Sequence, residues 1–418
     1  VFTLAILLPT TSSLVSGLRN HQTKLDVVGN NIANVNTVAY KSQSARFQDI
    51  FSQTLSGATA PFGGRGGVNP MQVGLGMELS SINTNHSGGA ITGTGVETDL
   101  AIEGTGFFVV NNGFQNYYTR DGSFTRDATG ILVNAGGMKL MGWSVSGDEN
   151  EIDTIQLPGE IYIPLGEEMI AGATSKINFT GNLDSGAEAG GDPFVFPFYV
   201  YDSLGNRHGL KVEFKKTNDD DNEWEYTITA DDGSGLTNID GDVTFYENGK
   251  YDPDSSTVDE LTYDPENGAA ELNIELDFSA LTQLADSSSV IAKNQNGFYP
   301  GVLATFNIDE NGVVTGTYSN GMVREIAQIA LASFANPMGL VKMGSNLYDI
   351  SSNSGDARIG LPGTEGRGTI QSRALEMSNV DLANEFTEMI TTSRAFQANT
   401  RVISTSDEVL VELINIKR

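Results

Sequence analysis

The sequence contains no cysteine. Across 418 residues there is therefore no disulfide to hold the fold, and no thiolate that could act as a nucleophile or bind a metal ion. Histidine is almost as scarce, because only His21, His86 and His208 occur, and they fall in three different predicted segments. We therefore expect no histidine cluster for catalysis or for metal binding.

The sequence also lacks the short motifs that accompany common enzyme chemistries. It has no HExxH or GxSxG motif, no phosphate-binding loop that ends in GKS or GKT, and no dinucleotide glycine fingerprint in a strand–helix–strand setting. Nucleophilic and phosphoryl chemistry thus lack their usual residues. We predict that the chain is not an enzyme, has no catalytic residues and needs no cofactor.

Positive charge is in short supply. The chain has 24 basic against 53 acidic residues, a formal net charge of -29, which repels nucleic acid and anionic lipid. Residues 146–285 hold 31 of the acidic residues and 6 of the basic ones, so this region is expected to be a separate solvated domain. We expect no nucleic-acid partner.

Long hydrophobic runs are absent as well. The apolar stretch VFTLAILL at residues 1–8 is far shorter than the roughly 20 residues that a membrane-spanning helix needs. No basic residue precedes it, as one would in a signal peptide. We expect no membrane insertion and no cleaved signal.

The amino-terminal region carries a helical stripe. Apolar residues alternate at steps of four and three if His21 fills one place, as in a heptad repeat: Leu14, Leu18, Leu25, Val28, Ile32 and Val35. Ser12 and Ser13 are candidate caps at its start. The asparagine-rich run that follows, Asn30, Asn31, Asn34 and Asn36, lowers helix propensity near its end.

The carboxy-terminal region repeats this design more strongly. Residues seven apart are apolar throughout, namely Leu382, Met389, Phe396, Ile403 and Leu410, and no proline or glycine interrupts residues 369–418. Further apolar positions widen the stripe: Phe386, Ile390, Val402, Val409, Leu413 and Ile416. Ser378 or Asn379 is the expected cap, with Asp381 favourable in the first turn.

Two heptad helices at the two ends are expected to pair as a coiled coil. They could form a helical hairpin packed on the body of a monomer, or they could assemble copies of the chain. We favour assembly, because a narrow apolar stripe needs a partner helix to be buried and because punctuated linkers, residues 56–76 and 351–368, separate both ends from the body.

The middle of the chain has the signature of antiparallel β structure. Short β-branched and aromatic runs alternate with Gly, Asn and Asp turns, as in residues 104–137. The predicted fold class is mainly β with long terminal α-helices and two β domains in the middle, one inserted in the other. The helical polymerisation core is predicted at residues 1–55 and 369–418, the inner β domain at residues 77–145 and 287–355, and the acidic outer domain at residues 146–286.

The acidic runs admit a different class of function. DDDNEWE at residues 219–225 and DPDSSTVDE at residues 252–260 could gather oxygen ligands around calcium, although neither has the spacing of an EF-hand loop. A solvated, charged face with turns explains them more simply. A secreted calcium- or glycan-binding β protein, and more distantly a glycosidase with paired carboxylates, stay as alternatives.

Two long motifs carry a family resemblance. LDVVGNNIANVNTVAYKSQ at residues 25–43 closely resembles the amino-terminal motif of flagellar rod and hook proteins, and residues 378–418 resemble their carboxy-terminal motif almost throughout. GTGFFVV at residues 104–110 and the run from Tyr117 to Trp143 resemble the β segment of the same axial family. The acidic insert carries no motif that we recognise.

The resemblance implies a structural subunit of the bacterial flagellar hook, a hollow flexible tube that works as a universal joint between rod and filament. Rod proteins of this family are commonly shorter and lack such an insert, so a distal rod protein is the closest rival. The implied location is extracellular, on the flagellum, after type III export. The implied partners are further copies of the chain, the distal rod protein, the hook cap, the hook–filament junction protein and the export apparatus.

Two sets of residues are predicted to form the polymerisation site. The cohesive apolar core is expected at Leu18, Leu25, Val28, Ile32, Leu382, Phe386, Met389, Phe396, Ile403 and Leu410. The polar positions of the family motif are Asn30, Asn31, Asn34, Asn36, Thr37 and Asn399. These either contact neighbouring subunits or simply end a helix.

Overall fold

The computed structural model describes residues 2–61, 66–145, 152–166, 168–169, 171–217, 222–230, 236–237 and 240–416. Two long helices, α1 (Phe2–Ala33) and α2 (Leu382–Ile416), stand at the two ends of the chain, and almost everything described between them is strand or turn. The predicted class, mainly β with terminal helices, is confirmed.

The described strands are numbered in chain order. Those before the acidic region are β1 (Gln43–Asp49), β2 (Ser52–Ser56), β3 (Met71–Gly74), β4 (Met77–Thr84), β5 (Ile91–Gly93), β6 (Leu100–Glu103), β7 (Phe107–Asn111), β8 (Asn116–Thr119), β9 (Thr125–Arg126), β10 (Leu132–Val133), β11 (Lys139–Ser144) and β12 (Gly159–Glu160). Those that follow are β13 (Glu168–Met169), β14 (Lys176–Asp184), β15 (Phe194–Tyr201), β16 (Arg207–Lys216), β17 (Glu223–Ala230), β18 (Leu236–Thr237), β19 (Asp240–Phe245), β20 (Tyr251–Thr257), β21 (Leu261–Tyr263), β22 (Leu272–Leu284) and β23 (Ile291–Gln295). The last are β24 (Gly301–Ile308), β25 (Val313–Tyr318), β26 (Val323–Ile329), β27 (Leu331–Ser333), β28 (Val341–Gly344), β29 (Leu347–Asp349), β30 (Arg358–Gly360), β31 (Thr369–Ser372) and β32 (Ala374–Glu376), and a 3-10 turn covers Pro337–Gly339.

The chain divides into two compact units. The first consists of Val1–Ile163, Phe306–Thr315 and Glu325–Arg418, and the second of Pro164–Thr305 and Gly316–Arg324. The charge distribution alone predicts the insert at residues 146–286. Ile161 and Ile163 lie within this predicted insert but are buried in the first unit. Apolar side chains pack where strands meet, and the local excess of acidic residues does not show where that is.

Helix α1 begins before the predicted cap. It runs through Ser12 and Ser13 without a break, and the hydroxyl of Ser16 donates back to the carbonyl of Ser13, as serine does inside a helix. It ends at Ala33 within the asparagine-rich run, as the low helix propensity of asparagine predicts.

Helix α2 begins later than the uninterrupted sequence suggests. The carboxylate of Asp381 accepts the main-chain N–H of Ala383 at 2.9 Å and is the cap, in place of Ser378 or Asn379. The preceding residues of the predicted helical region are strands: β31 pairs antiparallel with β6, and β32 with β5. A segment without proline and glycine can form a helix, but it can also form a strand when the main chain of a neighbouring strand is available for hydrogen bonding.

The body of the first unit is a sheet with apolar residues on both faces. Strands β26, β11, β7, β8, β29 and β28 lie in that order, and β7 contributes four buried residues in succession from Phe107 to Val110. On one face Phe107 and Tyr118 pack with Tyr348, and on the other Phe108 meets Phe124 edge-on at 5.3 Å. The predicted linker at residues 351–368 also joins this body, since its β30 pairs with β27.

The second unit is a sandwich of two five-stranded sheets. One has the order β18-β21-β22-β14-β23 and the other β15-β16-β17-β19-β20. Alternating residues of the strands point into one apolar core, where the rings of Phe179 and Phe278 stack at 5.0 Å and Tyr226 lies 5.1 Å from Phe278. The acidic residues that the strands carry are thereby left for the outside.

A two-stranded ribbon leaves the end of α1. Strand β1 pairs with β4, and further out β2 pairs with β3, which lies in the predicted linker at residues 56–76. Every described residue of β2 and β3 is exposed, including Met71 within β3, and so is Phe51 beside them. Residues 62–65 of the predicted linker lie outside the described residues.

Candidate polymerisation site: the terminal helices and their junction with the body

Helices α1 and α2 pack against each other in antiparallel directions. Asn31, near the end of α1, donates to Glu385 near the start of α2 at 3.0 Å. Earlier on α1, Lys24 lies 3.0 Å from Glu388, and Gly17 lies against Asn399. Residue numbers therefore fall along α1 as they rise along α2, and the predicted pairing of the two ends is present within one chain.

The seam between the helices contains most of the predicted apolar core. Val28 is buried, whereas the other members are half-buried: Leu18, Leu25, Ile32, Met389, Phe396, Ile403 and Leu410. Half-burial is what a two-helix pair gives, because each helix covers only one side of its partner. Eight of the ten predicted apolar residues are thus buried or half-buried in the single chain.

The remaining two, Leu382 and Phe386, face solvent in the single chain. Phe386 is 49% exposed and Leu382 39% exposed, and Ile390, one further turn along, is 56% exposed. These three side chains lie four residues apart, so they form one apolar strip on α2 beside the seam. Val402 and Val409 are exposed as well.

Polar residues alternate with the apolar ones along the α2 side of the seam. They are Glu385, Thr392, Asn399 and Ser406, each three residues after an apolar position. Thr392 is only 3% exposed, and burial raises the pKa of the Glu385 carboxyl. Of the four, only Asn399 is among the predicted site residues. A search for periodic apolar residues does not detect the polar residues that lie between them on the same face of the helix.

Asn31 is the most strongly held residue of the asparagine-rich motif. It is almost completely buried, and its side chain exchanges two hydrogen bonds with the main chain of Gln43 while accepting from the hydroxyl of Tyr40. With the bond to Glu385, its amide ties together α1, the start of β1 and α2. This role is internal to the chain.

The other polar positions of the motif lie nearer the surface. Asn34 donates to Asn30, and the hydroxyl of Thr37 donates to Asn34. Asn30 also donates to the hydroxyl of Tyr40 at 3.1 Å, and Asn36 is exposed in the turn. These contacts close the turn after α1, and contacts of these side chains with a neighbouring subunit stay a prediction.

A buried ionic cluster joins both ends of the chain to the body. The carboxylate of Glu376, just before α2, lies 2.6 Å from the ammonium of Lys41 and 3.4 Å from the guanidinium of Arg120. The three side chains are each at most 3% exposed. Burial lowers the pKa of Lys41, and the negative charge of Glu376 opposes that shift.

Main-chain groups complete the cluster. Glu376 also accepts the N–H of Gly89 at 2.8 Å, Lys41 donates to the carbonyl of Ser87, and Arg120 donates to the carbonyl of Gly104 at 2.7 Å. A buried charge is tolerable only with such partners. The motif at residues 25–43 includes Lys41, but a local pattern cannot reveal a partner so distant in sequence.

His86 lies beside this cluster between two aromatic rings. Its ring is 5.7 Å from that of Phe107 and 5.5 Å from that of Tyr348, both edge-on. Burial, with the nearby positive charges of Lys41 and Arg120, lowers the pKa of His86 to about 4. The imidazole is therefore neutral at pH 7.

The calcium-binding alternative requires acidic side chains that converge on one point. Among the described residues no group of three or more His, Asp or Glu side chains is placed to hold a metal ion. Residues 219–221 of the first acidic run lie outside the described part of the chain. No described helix is both long and apolar enough to span a membrane.

Comparison with protein families covers most of the chain. Residues 13–41 match the family described as flagella basal body rod protein, and residues 101–182 match the flagellar hook protein FlgE/F/G D1 domain. Residues 193–298 match the flagellar basal body protein FlaE D2 domain, and residues 371–416 the flagellar basal body rod FlgEFG protein C-terminal family. The residues of α1, the junction and α2 thus fall in families of flagellar axial proteins.

Full-length relatives are similar over nearly all of the chain. The flagellar hook protein FlgE of Borreliella burgdorferi is 40% identical over 96% of this chain and 98% of its own length, and that of Treponema pallidum is 38% identical over 97% and 98%. The flagellar basal-body rod protein FlgG of Bacillus subtilis is 31% identical over 97% of both.

The fold agrees with these matches. The crystal structure of Helicobacter pylori flagellar hook protein FlgE2 is similar with a TM-score of 0.56, at 16% identity, over 68% of this chain and all of that one. Identity this low supports the fold alone, whereas the full-length relatives reach 40%. The chain belongs to the flagellar hook protein FlgE family.

Proposed function

We propose that this chain is the structural subunit of a bacterial flagellar hook and polymerises through α1 and α2 into a hollow, flexible tube. The tube acts as a universal joint that passes torque from the motor and rod to the filament. The subunit performs no catalysis. Its partners are further copies of itself, the distal rod protein, the hook cap, the hook–filament junction protein and the flagellar export apparatus.

The observation that carries this proposal is the apolar strip left exposed on α2. The seam with α1 covers one side of the helix, while Leu382, Phe386 and Ile390 stay open to solvent. Apolar area removed from water contributes about 25 cal/mol per Å², so such a strip favours association. Copies of the same chain offer the matching helix surface, which a polymer would bring against it.

The distribution of charge supports the same arrangement. The two terminal helices together carry a net charge of only -2, whereas the second unit carries most of the acidic excess. Copies with a formal charge of -29 repel each other unless the charged parts keep to the solvent side, where salt screens charges beyond about 8 Å. Cohesion then comes from the helices, and the acidic units make contacts that can slide.

Export outside the cell completes the proposal. A subunit that passes a narrow channel unfolded must fold again on arrival, and this chain has no disulfide to be reduced before export or reformed afterwards. Folding of the two ends at the tip of the growing tube, beneath the cap, would then couple folding to assembly.

Electron microscopy of the purified chain under polymerising conditions tests the proposal. We expect hollow tubes. In Phe386→Asp the charge stands at an exposed position, so the monomer should keep its stability while tubes disappear. Gln397→Asp, exposed on the same helix but polar already, is the matched control and should polymerise normally. A wild-type chain that stays monomeric at high concentration overturns the proposal.

A distal rod protein is the second candidate, favoured by the match to the Bacillus subtilis rod protein. The two candidates differ in the shape of the polymer. A hook subunit gives tubes that curve, and a rod subunit gives straight, rigid ones. Images of the same preparation therefore decide between them.

A further inference from the structure

We propose that Gly17 and Asn399, together with Asn31 and Glu385, set the register in which α1 pairs with α2. The two contacts follow one rule. Asn31 and Gly17 are two heptads apart on α1, and Glu385 and Asn399 are two heptads apart on α2. Both contacts therefore belong to the same antiparallel alignment, at two separate points along the seam.

The apolar residues cannot choose this alignment alone. On α2 the seam repeats an apolar residue every seven positions, and on α1 Leu18, Leu25 and Ile32 do the same. A slip of one heptad, about 10 Å along the helix axis, would replace each apolar contact by an equivalent one. Polar or unusually small residues at single positions are what removes such degeneracy.

Gly17 and Asn399 provide one such position. A Cβ added to Gly17 would lie 2.8 Å from Nδ2 of Asn399, so the amide occupies the space that the glycine leaves. The second glycine of α1, Gly29, has no atom within 4 Å of a comparable Cβ. Of these two glycines, Gly17 alone forms a recess filled from α2.

Asn31 and Glu385 provide the other position that distinguishes one register from another. The amide of Asn31 is buried and bonds to Glu385 at 3.0 Å. A slip of one heptad would place Thr392 or Ser378 where Glu385 lies and so remove the charge-assisted hydrogen bond between the two helices. Thr392, midway between Glu385 and Asn399, is buried in the observed register, in which Lys24 pairs with Glu388.

The register matters to the proposed function, on which this consequence rests, because it decides at which position along the helix pair the exposed strip of α2 lies. A slipped pair would present a different part of the Leu382, Phe386 and Ile390 strip relative to the body. Gly17 and Asn399 act as positioning residues, since they touch each other within one chain.

The absence of native cysteine makes a direct test possible. Cysteines introduced at exposed Arg19 and Thr387 carry spin labels, and pulsed electron resonance measures their separation in the dilute monomer. We expect one narrow distance in the otherwise unchanged chain. Gly17→Ala should add a population displaced by about 10 Å, one heptad of helix.

Two variants make the result specific. Gly29→Ala, with open space for its Cβ, should leave the single distance unchanged. Gly17→Ala combined with Asn399→Ala restores room at the contact and should recover the original distance. The proposal is overturned if Gly17→Ala keeps the single original distance, or if its distances and helix content are lost and Asn399→Ala does not restore them. The monomer measurement stands whether or not the wild-type chain forms tubes, so the two proposals fail separately.

Discussion

Oε1 of Glu376 lies 2.6 Å from Nζ of Lys41, although 335 positions separate the two residues in the chain. Lys41 follows α1 and the turn after it, and Glu376 ends the last strand before α2. The pair therefore ties the segment that follows α1 to the segment that precedes α2 at a single buried point. Arg120 connects that point to the sheet of the first unit.

Removing the anion from this cluster should destabilise the first unit strongly. Glu376→Gln leaves two buried cations without a counter-charge, and breaking a buried ion pair costs about 3–5 kcal/mol. Glu97→Gln is the matched control, because Glu97 pairs with Arg373 at the surface and exposed pairs contribute at most about 1 kcal/mol. Denaturant unfolding of both variants measures the difference, and equal midpoints would show that the cluster is dispensable.

His86 should make the first unit sensitive to mild acid. Because its pKa is about 4 in the fold, against an ordinary value of 6.5, the unfolded chain binds the proton more readily. The stability that the neutral imidazole contributes is complete above pH 6.5 and falls as the pH drops towards 4. Between pH 7.5 and pH 5 the loss amounts to about 2 kcal/mol.

The variant His86→Gln isolates this effect from that of the many carboxylates. Its unfolding free energy should change less between pH 7.5 and pH 5 than that of the wild-type chain, by about 2 kcal/mol. His208→Gln is the control, because His208 lies in the second unit. It should leave the pH dependence of the first unit's unfolding free energy unchanged. A parallel pH profile for wild type and His86→Gln would contradict the assigned role.

A charge in the seam should separate assembly from folding of the body. Phe396→Asp places a carboxylate among the half-buried apolar residues between α1 and α2. We expect no tubes, while the near-ultraviolet circular dichroism of the β units stays native. Normal hooks from this variant would remove the seam from the explanation of assembly.

Stiffening of residues 61–70 should restrict bending of the polymer without preventing its formation. Residues 62–65 lie outside the described residues, but Gly66 is described, and a Cβ there meets no atom within 4 Å. Gly66→Ala therefore fits the fold and narrows the main-chain freedom of the ribbon. Gly159→Ala, with equally open space in the body, is the control.

The persistence length of the tubes in electron micrographs measures this effect. Gly66→Ala tubes should be straighter than wild-type tubes, and Gly159→Ala tubes should not. If Gly66→Ala tubes curve as much as wild-type tubes and the cells swim normally, bending of the tube does not depend on the main-chain freedom of residues 61–70.

Periodicity makes the helices and their seam predictable. Met389, Phe396 and Ile403 stand seven apart, and a pattern of that kind survives in the fold because a helix repeats with nearly the same period. The β class follows from turn residues between short apolar runs for the same reason. Local chemistry is sufficient wherever the partners are near in sequence.

The junction cannot be predicted in this way. Glu376, Lys41 and Arg120 come from three distant segments, and a single charged residue carries no period that points to its partner. The two strands before α2 are a second case, because β31 and β32 pair with strands far earlier in the chain. Pairings of this kind are set by tertiary packing.

Because Lys41 and Glu376 lie far apart in sequence, the ionic cluster can form only when most of the chain is present. A chain cut short before Glu376 would possess nearly every strand and yet enclose two cations with nothing to neutralise them. Such fragments should stay open and be removed by proteases. Only a chain that extends at least to Glu376 can close the junction, and so shorter chains would not enter the growing structure.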